Sequence, residues 1–89
     1  MKWELDQITL TLKNDQDKKY DLSKKPYIIL AHLKKYRNKI IKPDKLMEIS
    51  KISNLNSFRN MITELMAIPE IPLEEVKKAN IKGFRWNEK

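Results

Sequence analysis

The chain has 89 residues, of which 40% are hydrophobic, so it is long enough for one small domain with a modest core. It contains no cysteine, which excludes disulfides, thiolate metal sites and a cysteine nucleophile. Lysine and arginine outnumber aspartate and glutamate by 19 to 12, and the net charge of +7 predicts an anionic partner. No apolar segment approaches the roughly 20 residues of a membrane span, and the N-terminus lacks the apolar run of a signal peptide, so we expect a cytoplasmic protein with no membrane partner.

The positive charge is concentrated in the middle of the chain. Residues 23–54 carry nine basic and two acidic side chains, whereas residues 1–22 carry four and five, and residues 55–89 carry six and five. A localised basic region is typical of proteins that neutralise the phosphates of nucleic acids, although a lysine-rich solvated surface gives the same balance of charge.

The first 22 residues predict short antiparallel strands. Residues 8–12 alternate apolar and polar side chains and are rich in β-branched residues, which favours a half-buried strand. Residues 14–17 break this strand, and residues 19–22 return as a second one. Trp3 and Leu5 indicate a further strand before them. The apolar face of the predicted hairpin consists of Leu10, Leu12, Tyr20 and Leu22.

Two helices are predicted in the basic middle region. The first spans about residues 24–36, because a serine suited to the N-cap precedes it and Pro26 loses no hydrogen bond in a first turn. The second spans about residues 43–51, where Pro43 and Asp44 are preferred opening residues.

A third helix and a hairpin complete the predicted fold. The helix spans about residues 55–67, and its apolar residues follow the i, i+3, i+4, i+7 spacing of an amphipathic helix. These residues are Phe58, Met61, Ile62 and Leu65. Two prolines end the helix, and a β-hairpin follows over about residues 75–87. Gly83 is expected at the turn of this hairpin, where a positive φ favours glycine.

Strands followed by three helices and a hairpin make an α+β fold, the winged helix-turn-helix. Residues 22–30, LSKKPYIIL, resemble the L-T-x-x-E-F-x-L-L opening of the first helix in the effector domain of OmpR/PhoB-type response regulators. Residues 40–46, IIKPDKL, resemble its V-V-S-R-E-x-L entry to the second helix, and residues 76–86, VKKANIKGFRW, are similar to its closing I-x-T-V-R-G-x-G-Y-R-F wing. The resemblance implies a single winged-helix domain over residues 1–89, acting as a bacterial DNA-binding transcriptional regulator or as the effector domain of one.

The resemblance also implies that the third helix enters the major groove of double-stranded DNA, with the wing at the adjacent backbone or minor groove. The candidates for base contacts on that helix are Asn56, Ser57, Arg59, Asn60, Thr63 and Glu64. Arginine suits guanine, asparagine suits adenine, and glutamate accepts from the cytosine amine. The candidates for phosphate contacts are Lys42, Lys45, Lys77 and Lys78, and those in the wing are Lys82 and Arg85.

A second class of function remains open, a winged-helix module for protein–protein interaction or dimerisation that has lost sequence-specific DNA recognition. Family members carry basic residues around an I-x-R-L-R core in the third helix, whereas residues 62–66 are ITELM here. Glu64 is therefore an acidic residue at a position where family members have a basic residue. An exposed Met66 beside Leu55 would form an apolar contact patch.

The sequence argues against an enzyme. His32 is the sole histidine, and a lone helical histidine is usually a packing or surface residue. Asp15 and Asp17 fit a turn better than a calcium loop, because no glycine or later glutamate completes the pattern. We therefore expect no catalytic residue, metal, cofactor or small-molecule substrate. Trp3 and Trp86 are expected to be core aromatics that join the two sheets.

Overall fold

A computed structural model describes residues 2–88 and has the predicted order of elements. Three strands come first, β1 (Trp3–Asp6), β2 (Thr11–Asn14) and β3 (Lys19–Asp21), and three helices follow, α1 (Lys24–Lys35), α2 (Pro43–Ser50) and α3 (Leu55–Met66). Strands β4 (Leu73–Lys78) and β5 (Ile81–Trp86) form the C-terminal hairpin, here called the wing. Each helix begins at its predicted residue and ends one residue earlier than predicted. None of the described helices is long and apolar enough to cross a membrane.

The N-terminal strands form an antiparallel sheet in the order β1-β2-β3. Of the predicted apolar face, Leu12 is completely buried, and Tyr20 and Leu22 pack against the core as partly buried residues. Leu10 lies in the turn before β2 and is only partly buried. The second strand of the sheet is therefore held to the core mainly through one leucine.

The prediction of a strand over residues 8–12 is wrong, because β2 begins at Thr11 and the four residues before it form a turn. The N–H groups of Ile8 and Thr9 donate to Oδ1 of Asp6 at 2.9 and 3.3 Å, and this capture by a carboxylate replaces strand pairing. These backbone hydrogen bonds lower the pKa of the Asp6 carboxyl, and the one from Thr9 has the largest effect. Ile8 is left 94% exposed, although the alternating pattern favoured burial on one side.

The hydrophobic core lies between the helices and the two sheets. Each helix buries its apolar stripe, and the buried residues are Ile29, Leu30 and Leu33 of α1, Leu46 of α2, and Phe58, Ile62 and Leu65 of α3. Trp3 of β1 and Trp86 of β5 are 2% and 0% exposed and belong to the same core cluster. Both tryptophans are therefore core aromatics, as predicted, and each sheet contributes one.

Gly83 lies inside β5, so its predicted place at the turn of the wing is wrong. The register pairs Lys78 with Ile81, which leaves residues 79–80 as the turn. The reason for a glycine is close approach of another segment, because a Cβ at this position would lie 2.5 Å from the carbonyl oxygen of Ile41. A methyl group does not fit at that distance.

The connection between α1 and α2 joins the wing as a short extra strand. The N–H of Ile41 donates to the carbonyl oxygen of Phe84 at 2.8 Å, and the N–H of Phe84 donates back at 2.9 Å. Nearer the end of β5, the N–H of Asn38 donates to the carbonyl oxygen of Trp86 at 3.0 Å. On α3, the ring of Phe58 meets the ring of Phe84 edge to face, with 6.0 Å between centroids. The backbone hydrogen bonds therefore join the wing to the α1–α2 connection, and the ring contact joins it to α3.

Candidate nucleic-acid interface

The core decides which side of α3 faces outward. Phe58, Ile62 and Leu65 point inward, and at about 100° per residue the opposite side of the helix carries a row at i, i+4, i+7 and i+11. All four residues of this row are exposed, and none is charged. We call the row the outer stripe; its members are Asn56, Asn60, Thr63 and Ala67.

Hydrogen bonds fix the start of α3 and one member of the outer stripe. Oδ1 of Asn54 accepts from the N–H groups two and three residues later, at 2.8 and 3.2 Å, and is the N-cap. The hydroxyl of Thr63 donates to the carbonyl oxygen of Arg59 at 2.9 Å. The side-chain amides of Asn56 and Asn60 make no hydrogen bond with another described residue, so both are free to bind a ligand.

One side of the outer stripe borders a groove between α3 and the wing, which we call the wing groove. Arg59 of α3 and Lys77 and Lys82 of the wing line it, together with Glu75. The register pairs Lys77 with Lys82, so both project from the hairpin face that carries Phe84. Nζ of Lys77 lies 3.6 Å from Oε2 of Glu75, and both side chains are exposed, so this ion pair is weak. The wing groove therefore carries a net positive charge.

The other side of the outer stripe borders a groove between the start of α1 and the start of α3, which we call the α1 groove. Lys24, Lys25 and Lys51 line it with Ser57, and no acidic residue is among its lining residues. These lysines were not among the residues predicted to contact phosphates. The excess of charge in residues 23–54 was the signal for them, but the tertiary fold was needed to show which of those lysines lie beside α3.

The structure separates the predicted cationic residues. Lys77 and Lys82 lie together in the wing groove, whereas Lys78 projects from the opposite face of the hairpin. Arg85 lies at the end of β5 far from the turn, where its guanidinium is bonded to the Glu74 carboxylate across the hairpin. The structure therefore does not bring Arg85 together with Lys82.

The two lysines predicted on α2 also differ in position. Lys42 is the exposed N-cap residue of α2 and precedes Pro43, which lines the wing groove. Lys45 is exposed and lies near His32 of α1. The pKa of His32 is lowered, mainly because the imidazole is partly buried and also because the charges of Lys45 and Lys35 are close to it. Lys42 is thus next in sequence to a residue of the wing groove. Lys45 lies near His32 of α1 and does not line the α1 groove.

Glu64 does not lie beside Arg59. It lines a depression between α3 and the N-terminal sheet, together with Lys19 and Asp21. The predicted patch of Leu55 and Met66 is also divided, because both line the wing groove, at 48% and 40% exposure, but stand at opposite ends of α3. The described residues contain no group of three or more His, Cys, Asp or Glu side chains that could hold a metal ion.

The fold is similar to that of a solved DNA-binding domain. The crystal structure of the DNA-binding domain of Bacillus subtilis CssR matches with a TM-score of 0.72 and 11% sequence identity, over 94% of this chain and 98% of that domain. The winged helix-turn-helix fold predicted from the sequence resemblance is therefore confirmed. No protein-family model matches the sequence, and no curated protein shows significant similarity to it.

Proposed function

We propose that this domain binds double-stranded DNA as a transcriptional regulator, or as the effector domain of one, in the cytoplasm of a bacterium. One observation carries the proposal: the uncharged outer stripe of α3 lies between two cationic grooves. The major groove is about 12 Å wide and admits one α-helix, with a phosphate strand on each side. A helix flanked by cations on both sides matches this arrangement of charge.

The two grooves supply comparable sets of cations. Lys77 and Lys82 would contact one phosphate strand, with Arg59 beside them at the edge of the outer stripe, and Lys82, close to the turn of the wing, would also approach the minor groove. The lysines of the α1 groove would contact the other strand. Lys42 would add a contact beside the wing groove. We expect smaller contributions from Lys45, Lys78 and Arg85, which lie outside both grooves.

The experiment measures the affinity for a mixed-sequence duplex over a series of salt concentrations. The double substitution Lys24→Ala and Lys25→Ala removes two proposed phosphate contacts, and each contact contributes about 0.9 to the slope of log K against log salt. We therefore expect this negative slope to become shallower, with its magnitude reduced by about 1.8. The matched control is Lys34→Ala with Lys35→Ala, which removes the same charge from the other end of the same helix.

The comparison separates local contacts from net charge. If both double variants lower the slope equally, the α1 groove is not part of the interface. If the unsubstituted protein does not bind duplex even at low salt, DNA binding itself is refuted, because non-specific affinity is strongest there.

The second candidate is a module for protein interaction or dimerisation. Leu55 and Met66 favour it, because they are 48% and 40% exposed and both line the wing groove, where one partner segment would contact the two side chains together. Sedimentation equilibrium tests it. Self-association that Leu55→Ser and Met66→Ser abolish, in a protein that does not bind duplex, would favour this function over DNA binding.

A further inference from the structure

We infer that the outer stripe of α3 recognises A·T base pairs in the major groove, and that recognition of G·C is confined to the edge beside the wing groove. The inference rests on the proposed function and names the class of DNA sequence that the domain selects. Two observations support it: the outer stripe presents amide and methyl groups, and the charged side chains of α3 lie outside this stripe.

The two side-chain amides of the outer stripe suit adenine. Asn56 and Asn60 are exposed on the outer stripe and make no side-chain hydrogen bond with another described residue. A side-chain amide pairs with adenine through N6 and N7, where it both accepts and donates. Four residues of α-helix span about 6 Å, and bases on one strand are about 3.4 Å apart, so the amides would reach positions about two base pairs apart.

The hydroxyl of Thr63 is engaged within α3. Its hydroxyl proton is already donated to the carbonyl oxygen of Arg59 at 2.9 Å, so the hydroxyl has no proton to give to the acceptors of guanine. What remains is a hydroxyl oxygen that can accept from the amine of adenine or cytosine, together with a methyl group, and the methyl of Ala67, the C-cap residue of α3, follows one helical turn later. Both methyl groups suit the C5-methyl group of thymine, which is the apolar group of the major groove.

The charged residues of α3 are the ones that suit guanine and cytosine. Cytosine is recognised by a carboxylate, but Glu64 lies outside the outer stripe and lines a depression with Lys19 and Asp21. Guanine is recognised by arginine or lysine, and Arg59 lines the wing groove beside the outer stripe. The preferred site is therefore a run of A·T pairs with a G·C pair at its wing-side edge.

The first experiment is selection of bound duplexes from a randomised library, followed by affinity measurements on the selected site. We expect a run of A·T pairs. Replacing a critical adenine by 7-deazaadenine removes N7, and replacing a critical thymine by uracil removes the methyl group. The deaza substitution should weaken binding by roughly 5- to 150-fold, the range for one good bidentate contact.

The second experiment assigns the contact to α3. Asn60→Ala should lower the affinity for the selected site but not for unrelated duplex, and should make the 7-deazaadenine substitution at its base harmless. Glu64→Gln is the matched control, because it changes an exposed polar residue of the same helix that lies outside the outer stripe and lines a different depression. It should leave the selected sequence unchanged.

The outcomes distinguish the two proposals. Binding to duplex with no sequence preference, or with selection of G·C pairs opposite the outer stripe, overturns the A·T inference but leaves DNA binding in place. A selected sequence that changes in Glu64→Gln but not in Asn60→Ala also overturns it. Absence of binding to any duplex at low salt refutes the proposed function itself.

Discussion

Replacing Gly83 by alanine tests the close approach of the α1–α2 connection to β5. An added Cβ would lie 2.5 Å from the carbonyl oxygen of Ile41 and 2.8 Å from Cγ2 of Ile40. The nearer atom belongs to the backbone and cannot rotate away. The strand must therefore move, and with it the paired hydrogen bonds between Ile41 and Phe84, at 2.8 and 2.9 Å.

The magnitude follows from these two effects. Loss of two backbone hydrogen bonds costs about 1–3 kcal/mol, and forcing extra volume into a packed site costs about 1–3 kcal/mol. One displacement causes both, so the effects are not fully additive, and we expect Gly83→Ala to lower the free energy of unfolding by about 2–4 kcal/mol. In a domain of this size, that lowers Tm by roughly 10–25 °C.

Urea and thermal unfolding, followed by far-UV circular dichroism, measure the effect. Lys82→Ala is the neighbouring control on the exposed surface of β5 and should change the free energy of unfolding by less than about 0.5 kcal/mol. Ile40→Ala removes the Cγ2 contact only, so adding Gly83→Ala to it should still destabilise strongly. A Gly83→Ala protein that is more stable than the parent would refute the reasoning, because alanine stabilises by about 0.4–1 kcal/mol wherever it fits without strain.

Two further predictions concern the helices. Asn54→Ala removes the N-cap of α3 and should lower the free energy of unfolding by about 1 kcal/mol. Asn54→Asp keeps an oxygen that can accept the same hydrogen bonds and should retain most of the stability. Equal losses for the two variants in urea unfolding would show that the cap hydrogen bonds contribute little. His32 has a lowered pKa in the folded state, so its contribution to stability is present above the unfolded value near 6.5 and is lost as the pH falls through the folded pKa. His32→Gln should therefore flatten the pH dependence of stability in this range, and an unchanged profile would assign that dependence to other groups.

The contrast between α3 and β2 shows which parts of the fold the sequence predicts. The helix was predicted from the spacing of four apolar residues, which act within a few positions of one another. The strand over residues 8–12 satisfied an equally local pattern, but the carboxylate of Asp6 captured the backbone of the following turn. A local competitor that uses the same N–H groups is invisible to hydrophobic alternation.

The candidate interface divides in the same way. The exposed polar residues of α3 were predicted from helical spacing, because the buried side of a helix determines the opposite side. The α1 groove was not predicted, since its lysines come from α1 and from the connection after α2 and meet only beside α3. Glu64 was grouped with Arg59 because both are exposed and close in sequence, yet the two line different surfaces.

The amino-acid sequence by itself determined the three helices, the core stripe of each helix and the order of elements that makes a winged helix. Those features depend on interactions within a few residues. The tertiary structure alone decided that Gly83 packs against Ile41, that Arg85 is bonded to Glu74 and that two cationic grooves flank α3. These features are contacts between separate elements, and a contact of that kind exists only once packing of the common core has set the distance between them.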